Sequence, residues 1–319
     1  MFLFLFFSVI LLKRKELLMD KARLIEVKNY LEKNKALSNY FRNYSRMYMM
    51  TTENLKGFFN HFSVEGKSIL TVAGSGDQRL NSYILGAKDV TCFDINPLTE
   101  LHLKLKDTAI KNIDLDKFIS FFEIKNDNKE YSSLDPRIFR MFKDYLDEDV
   151  YSFYNYVINE SIYLRSRDIY IDFINDISNQ KRINNYLDLD SYNNIRNIIR
   201  NKSIDFIESN VIDLPSKLDG KKYDMILLSN ISDYIHHIYN DNHMSKYKEL
   251  IDSLKNNLKE DGIMQVGYIY SYYNRGEDIS DFHYDDIRNK YFPIGEYLTR
   301  FVDSYYNDGS YDKVIIYKK

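Results

Sequence analysis

The segment 73–78, Ala-Gly-Ser-Gly-Asp-Gln, is the part of this chain whose residue types most directly indicate ligand binding. It follows a short apolar run at 69–72, and glycines after a strand let the backbone approach a bound molecule without a Cβ atom between them. Asp94 stands twenty residues beyond Gly74, at the end of a second β-branched and aromatic run. A carboxylate at that place accepts hydrogen bonds from ribose hydroxyls. The two features predict a nucleoside site; the alternative is a tight turn that serves only the strand–helix junction.

The spacing of the glycines favours one kind of nucleoside ligand. The dinucleotide fingerprint G-x-G-x-x-G is incomplete, because Arg79 occupies the place of the third glycine. The carboxylate of Asp77 at the start of the next helix would repel a pyrophosphate. S-adenosylmethionine has a ribose, a sulfonium and an amino group but no phosphate, so it fits better than a nicotinamide dinucleotide. Asp77 has a second interpretation, as a carboxylate that the helix dipole favours without any ligand.

The elements around this loop predict a parallel sheet. Residues 67–74 and 88–96 read as strands separated by a helical segment at 77–87, which makes a βαβ unit with parallel strands. A helix over 245–262 is expected to end at Gly262. The last two strands have so short a link that they must be antiparallel. The further strands are expected at 203–211, 223–230, 262–270, 296–304 and 312–319.

These elements predict an α/β, Rossmann-like, doubly wound and mostly parallel sheet with antiparallel C-terminal strands. The strand from Ser68 is expected to be central and to contact the strand at 224–228. Three regions are expected along the chain, the last of them carrying a helical insertion between strands 2 and 3. They are an apolar and basic extension at 1–18, a helical N-terminal cap at 19–62 and an α/β domain at 63–319 with its insertion at 98–202.

The segment 40–54 is aromatic and basic and precedes the sheet. It is either a lid over the ligand, with Tyr48 or Thr52 touching it, or an amphipathic helix packed on the core. The next helix is expected to start at Thr-Thr-Glu, residues 51–53, whose side chains suit a helix N-terminus.

The strings ILTVAGSGDQ, VTCFDINP, FIESNVIDLP and YDMILLSNISDYI, with the antiparallel tail, resemble the class I S-adenosylmethionine-dependent methyltransferase fold over about half the chain. This chain departs from the usual pattern in two places. Thr71 and Val72 stand where an acidic residue usually precedes the glycine loop, and the adenine-facing Asp is replaced by Asn210, or is Asp213 if the loop shifts. The resemblance implies that Gly74, Ser75 and Gly76 line the methionine part of S-adenosylmethionine, that Asp94 binds the ribose, that Asn210 and Val211 flank the adenine, and that Ser229 and Asn230 lie beside the sulfur. Asp77, whose negative charge suits the sulfonium and the amino group, and Ile95 are further candidate cofactor-binding residues.

A narrower resemblance concerns the loop AGSGD, the following GAKDVTCFDINPLTELHLKLKDTAI and the helical insertion. These are similar to the family that transfers the 3-amino-3-carboxypropyl group of S-adenosylmethionine to diacylglycerol in betaine-lipid synthesis. The expected function is therefore an S-adenosylmethionine-dependent transferase that moves a 3-amino-3-carboxypropyl or a methyl group to a small-molecule or lipid acceptor. The alternative is a non-catalytic module that binds S-adenosylmethionine or another nucleoside.

The segment after the fourth expected strand is where this fold places groups that face a substrate. Asp233 is a candidate general base and Tyr234 a candidate for orienting a nucleophile. The alternative is that Ser232 caps a helix and Asp233 lies in its first turn. His236 and His237 are adjacent, so in a helix they point about 100° apart, and no metal site is expected.

Composition and the N-terminus bear on partners and location. The formal charge of −3 indicates no nucleic-acid partner, and one cysteine excludes an intrachain disulfide and agrees with a cytoplasmic protein. The apolar run at 1–12 is short of the roughly 20 residues that span a bilayer, and the basic cluster at 13–15 follows it. It is either a peripheral anchor at the inner face of the membrane or an over-extended reading frame with Met19 as the start. The sequence does not indicate an oligomeric state.

Overall fold

The computed structural model of the 319-residue chain contains one seven-stranded sheet with strand order β3-β2-β1-β4-β5-β7-β6. It describes residues 21–38, 44–122, 134–171, 176–232, 234–235, 243–271, 296–306 and 308–319. The strands are β1 (Ser68–Val72), β2 (Asp89–Asp94), β3 (Asp205–Glu208), β4 (Tyr223–Leu227), β5 (Leu258–Ile269), β6 (Tyr297–Asp303) and β7 (Tyr311–Lys318).

The parallel half of the sheet is built on β1, which lies between β2 and β4. Leu70 pairs with Thr91 on one side and with Ile226 on the other, all in parallel register. The expected contact between the 69–72 and 224–228 strands is confirmed. Strand order reverses between β1 and β4, and the loops after these two strands therefore flank the crevice where ligands of such sheets bind.

The antiparallel half confirms the expected C-terminal hairpin. Strand β7 runs antiparallel to both β5 and β6, so the overall fold is the mixed α/β arrangement that the sequence predicts. The preceding helix differs from the expectation: it ends at Leu254, and Gly262 lies inside β5. The apolar Leu258 is fully buried in the core and pairs with Tyr223, and burial of this side chain favours a strand that begins four residues before the glycine.

The α-helices lie around the sheet in the described part of the chain, and every described element between β2 and β3 is helical. The central tyrosines of this insertion, Tyr154, Tyr170, Tyr186 and Tyr192, are fully buried in the main core. The helices are α1 (21–34), α2 (Leu55–Phe59), α3 (Asp77–Ile84), α4 (Leu98–Asn112), α5 (Leu115–Phe122), α6 (Pro136–Phe142), α7 (Glu148–Asn155), α8 (Ser166–Ile169), α9 (Ile177–Ile183), α10 (Leu189–Ile199), α11 (Leu214–Lys217) and α12 (His243–Leu254).

The part of the chain before β1 is only partly helical. Residues 44–54 are non-helical, and α2 starts after Asn54, whose side chain accepts a hydrogen bond from the Gly57 amide at 2.7 Å. The expected helix start at 51–53 is therefore wrong, because those residues turn towards the crevice instead. Within the described residues, no helix has the length and apolar character needed to cross a membrane. The expected extension at 1–18 lies outside them.

Candidate functional site

A cavity opens at the carboxyl ends of the parallel strands. Its walls come from the segment 45–53, the glycine loop after β1, the ends of β2 and β3, and the turn after β4. Apolar side chains such as Val72, Phe93 and Val211 line it together with the charged residues Arg46, Glu53 and Asp94. The cavity is thus mostly apolar with a few convergent polar groups, which is typical of a small-molecule site.

The glycine loop requires glycine at two positions for different reasons. Gly74 has φ +48° and a Cβ there would meet nothing within 4 Å, because the residue faces open space at the cavity. Gly76 has φ +82°, and its Cβ would lie 2.5 Å from Leu103 Cδ2 on α4. Gly74 therefore leaves room for a ligand, whereas Gly76 permits the loop to pack on the helical insertion.

Asp77 lies beneath the loop and does not line the cavity. Its fully buried carboxylate accepts hydrogen bonds from Lys106 Nζ at 2.8 Å, the Tyr186 hydroxyl at 2.5 Å and the Thr51 amide at 2.6 Å. Lys106 also donates to the Ser75 carbonyl at 2.8 Å, so the ion pair holds the loop against α4. Since these partners occupy both oxygens, the geometry favours the structural interpretation of Asp77.

Arg79, which occupies the place of the third glycine of the dinucleotide fingerprint, forms a buried ion pair. Arg79 is 1 % exposed, and its Nη1 lies 2.7 Å from Asp107 Oδ1 on α4. The Arg79–Asp107 ion pair lies two residues beyond Asp77 on α3 and one residue beyond Lys106 on α4. It is therefore a second buried ion pair that joins α3 to α4.

Asp94 and Ile95 both line the cavity at the end of β2. One Asp94 oxygen lies 3.4 Å from the Gly74 amide, and the other accepts from the Asn96 amide at 3.0 Å. Burial raises the pKa of Asp94 to about 6. The structure therefore places this carboxylate beside the glycine loop, in reach of a ligand in the cavity.

The ends of β3 and β4 contribute the other predicted residues. Asn210, Val211, Ser229 and Asn230 all line the cavity, whereas Asp213 lies outside it at the start of α11. The Oδ1 atom of Asn210 accepts a hydrogen bond from the Ile212 amide at 3.1 Å. Ser229 has φ +56°, an uncommon conformation for a side chain other than glycine. Backbone strain of this kind clusters at functional sites.

Tyr234 also lines the cavity, and its hydroxyl oxygen lies 2.7 Å from that of Tyr48 in the segment before α2. Thr52 lines the same wall, with its Oγ1 3.1 Å from the Tyr270 hydroxyl. The candidate base Asp233 lies outside the described residues, as do His236 and His237.

Glu53 is the site residue that sequence reasoning missed. Its side chain is 3 % exposed, lines the cavity, accepts a hydrogen bond from the Ser229 hydroxyl and lies 3.4 Å from Gln78 Nε2. Burial raises its pKa to about 7. In the sequence, Glu53 looks like the first-turn acid of a helix, and nothing local distinguishes it from one.

The groups on the cavity walls match the chemistry of S-adenosylmethionine. The carboxylate of Asp94 suits ribose hydroxyls, and the open space at Gly74 leaves room for a ligand. Two cavity residues also carry buried polar atoms with no hydrogen-bond partner among the described residues, Gln78 Oε1 and Arg46 Nε. A ligand with both donors and acceptors would satisfy them.

Comparison with known proteins gives no family-model match and no match among curated proteins. Among solved structures, a "putative sam-dependent methyltransferase" from Streptococcus mutans is 12% identical with a TM-score of 0.38, and the match covers 84% of this chain and 47% of that one. The chain thus spans about half the length of that neighbour. The ribosomal protein L11 methylase from Lactobacillus delbrueckii subsp. bulgaricus is 12% identical, with coverage of 83% and 77% and a TM-score of 0.36. A "putative rRNA-methylase" from Clostridium thermocellum is 10% identical, with coverage of 85% and 100% and a TM-score of 0.37.

These comparisons correct one expectation. The formal charge of −3 predicts no nucleic-acid partner, and this prediction is corrected: neighbours of the chain include proteins named as methylases of rRNA and of a ribosomal protein. Net charge over a whole chain does not exclude a local binding surface. None of the three neighbours carries the name of an aminocarboxypropyl transferase.

Proposed function

We propose that this chain is an S-adenosylmethionine-dependent transferase whose cofactor occupies the cavity at the ends of β1 to β4. The supporting observation is that Gly74, the carboxylate of Asp94 and the turns at 210–211 and 229–230 all line one cavity, with open space beside Gly74. These residues are separated by up to 156 positions in sequence, between 74 and 230. In this proposal Asp94 binds the ribose hydroxyls, and Ile95 and Val211 provide apolar surface for the adenine.

The chemistry needs little from the protein beyond positioning. The cofactor supplies a sulfonium, so a nucleophile can bond to an adjacent carbon while the carbon–sulfur bond breaks and its electron pair stays on sulfur. Asn230 and Tyr234 at the end of β4 would orient the acceptor, and the apolar walls would exclude water. The group moved is the methyl or the 3-amino-3-carboxypropyl group, depending on which carbon faces the acceptor. The loop AGSGD and the position of the insertion support the second.

The products distinguish the two transfers. Methyl transfer leaves S-adenosylhomocysteine, and aminocarboxypropyl transfer leaves 5′-methylthioadenosine. The protein would be incubated with labelled S-adenosylmethionine and with separate RNA, protein, lipid and small-molecule fractions of a cell extract, and the nucleosides would then be separated. We expect sustained formation of one product with one fraction, absent in an Asp94→Ala variant. Binding of the cofactor without either product in any fraction would instead support a non-catalytic binding module.

A further inference from the structure

Glu53 is a buried carboxyl group on the cavity wall with no ion-pair partner among the described residues. Its contacts are neutral: the Ser229 hydroxyl after β4 and the Gln78 amide on α3. The titratable groups that face it are Tyr268 in β5, Tyr270 just after β5 and Asp312 in β7, and Asp312 opposes its ionisation. Arg46 lines the same cavity but forms no ion pair with it in the structure. An ionised Glu53 therefore lacks the compensating charge that a buried carboxylate requires.

A second acceptor lies beside this carboxyl group. Gln78 is 6 % exposed, and its Nε2 lies 3.4 Å from Glu53 Oε2. Its Oε1 is buried and has no hydrogen-bond partner among the described residues. Burial of an unpaired acceptor is costly, so the Gln78 amide oxygen and, once Glu53 ionises, its carboxylate form two neighbouring acceptors that a bound donor would satisfy. A sulfonium has no hydrogen to donate, whereas an ammonium has three.

We propose that Glu53 and Gln78 bind the α-ammonium group at the methionine end of the S-adenosyl ligand, and that Glu53 releases its proton to solvent when the ligand binds. The inference rests on the proposed nucleoside site and adds to it the part that recognises the amino acid. The ammonium keeps its three hydrogens and donates to the Glu53 carboxylate and the Gln78 amide oxygen. Glu53 lies on the cavity wall between Gln78 in the first turn of α3 and Ser229 after β4.

Two ligands distinguish recognition of the ammonium group by Glu53 from a general effect of Glu53 on the cavity. S-adenosylhomocysteine carries the ammonium group, and 5′-methylthioadenosine shares the nucleoside and sulfur but lacks the amino acid. Glu53→Gln should lower the affinity for S-adenosylhomocysteine about 10- to 100-fold, which is the effect expected for loss of a hydrogen bond to a charged group. The affinity for 5′-methylthioadenosine should stay within about twofold of the wild-type value. Calorimetry measures both affinities. Gln78→Leu should weaken the binding of S-adenosylhomocysteine selectively. The matched control Glu65→Gln, on an exposed residue, should change neither.

Proton release gives an independent readout. Calorimetry at pH 7 in phosphate and in Tris measures the protons exchanged on binding. Wild-type protein should release more protons with S-adenosylhomocysteine than with 5′-methylthioadenosine, and Glu53→Gln should abolish that difference. Equal weakening of both ligands would indicate a merely structural role and overturn the assignment. Lost turnover with unchanged S-adenosylhomocysteine affinity would also overturn it, in favour of Glu53 acting on the acceptor. If the wild-type protein binds neither ligand, the proposed function itself fails.

Discussion

The hydroxyl oxygens of Tyr48 and Tyr234 lie 2.7 Å apart, so one hydrogen bond joins the segment before α2 to the helical turn after β4. Both residues line the cavity, although they are 186 positions apart in sequence. A ligand enclosed by these walls would be retained partly by this bond.

Tyr48→Phe should therefore increase the dissociation rate of S-adenosylhomocysteine roughly 2- to 10-fold, the kinetic equivalent of one neutral hydrogen bond. Chase of the labelled ligand with excess unlabelled ligand measures that rate. Tyr234→Phe should have the same effect, and the double variant no more than either single one, because all three remove the same bond. Tyr145→Phe, at an exposed tyrosine, is the control. Additive effects of the two substitutions would contradict a shared bond.

Asp94→Ala should weaken the binding of S-adenosylmethionine by about 1.5–3 kcal/mol, because the hydrogen bonds from the two ribose hydroxyls to a charged group are lost. Calorimetry measures the loss, and Asp190→Ala on the exposed face of α10 is the control. Affinity that is indifferent to Asp94 would remove the ribose assignment.

The pKa of Asp94 also predicts a pH dependence. Burial raises that pKa to about 6, and only the ionised form accepts from both hydroxyls. Affinity for 5′-methylthioadenosine should therefore be constant above about pH 7 and fall as the pH drops through 6. This ligand lacks the ammonium group, so Glu53 should contribute little to its profile. Asp94→Asn should flatten the profile, and an unchanged profile in that variant would assign the titration to another group.

The two loop glycines should respond differently to alanine. Gly76→Ala should cost about 2–5 kcal/mol of unfolding free energy, because a left-handed backbone strain adds to a clash with Leu103. Gly74→Ala should cost only about 1–2 kcal/mol and should weaken ligand binding, since its methyl group enters open space at the cavity. Urea unfolding and calorimetry separate the effects. Equal destabilisation by both substitutions would contradict the division of roles.

Lys106→Met should destabilise the protein by about 3–5 kcal/mol, because it leaves the buried Asp77 without its counter-ion. Adding Asp77→Asn should restore part of that loss, since the uncompensated charge is then removed. Lys104→Met is a matched control on the same helix, and its partly exposed pairs with Glu100 and Asp149 are worth about 1 kcal/mol or less. Urea unfolding measures all three, and similar losses for Lys106 and Lys104 would contradict the argument.

Glu53→Gln should change how stability depends on pH. Burial raises the folded-state pKa of Glu53 to about 7 from 4.5, so its favourable contribution is complete below pH 4.5 and is lost as the pH rises through 7. The variant cannot ionise there. At pH 8 it should exceed the wild type in unfolding free energy by on the order of 1–3 kcal/mol, relative to their difference at pH 4.5. Urea unfolding across this range tests it, with Glu65→Gln expected to follow the wild type.

The sequence by itself determined the sheet and the loop that serves it. The alternation of apolar strand runs with helical segments predicts parallel pairing, and the parallel registers of β1 with β2 and with β4 confirm it. The loop at 74–76 and Asp94 could be identified because their signals are local: a glycine pair after a strand, and a carboxylate at the next strand end. Such signals depend on backbone conformation over a few residues.

Only the tertiary structure decided which polar groups face the cavity and which are paired beneath it. Glu53 contacts Ser229 across 176 positions, and Asp77 is neutralised by Lys106 on another helix. Gln78, adjacent to Asp77 in sequence, lines the cavity while Asp77 does not. The side chains of adjacent residues on a helix point about 100° apart. Each one is therefore buried, and hydrogen-bonded, according to what packs on its own face of the helix. Those contacts form only when the sheet and the helical insertion close on one another, and no local pattern records them.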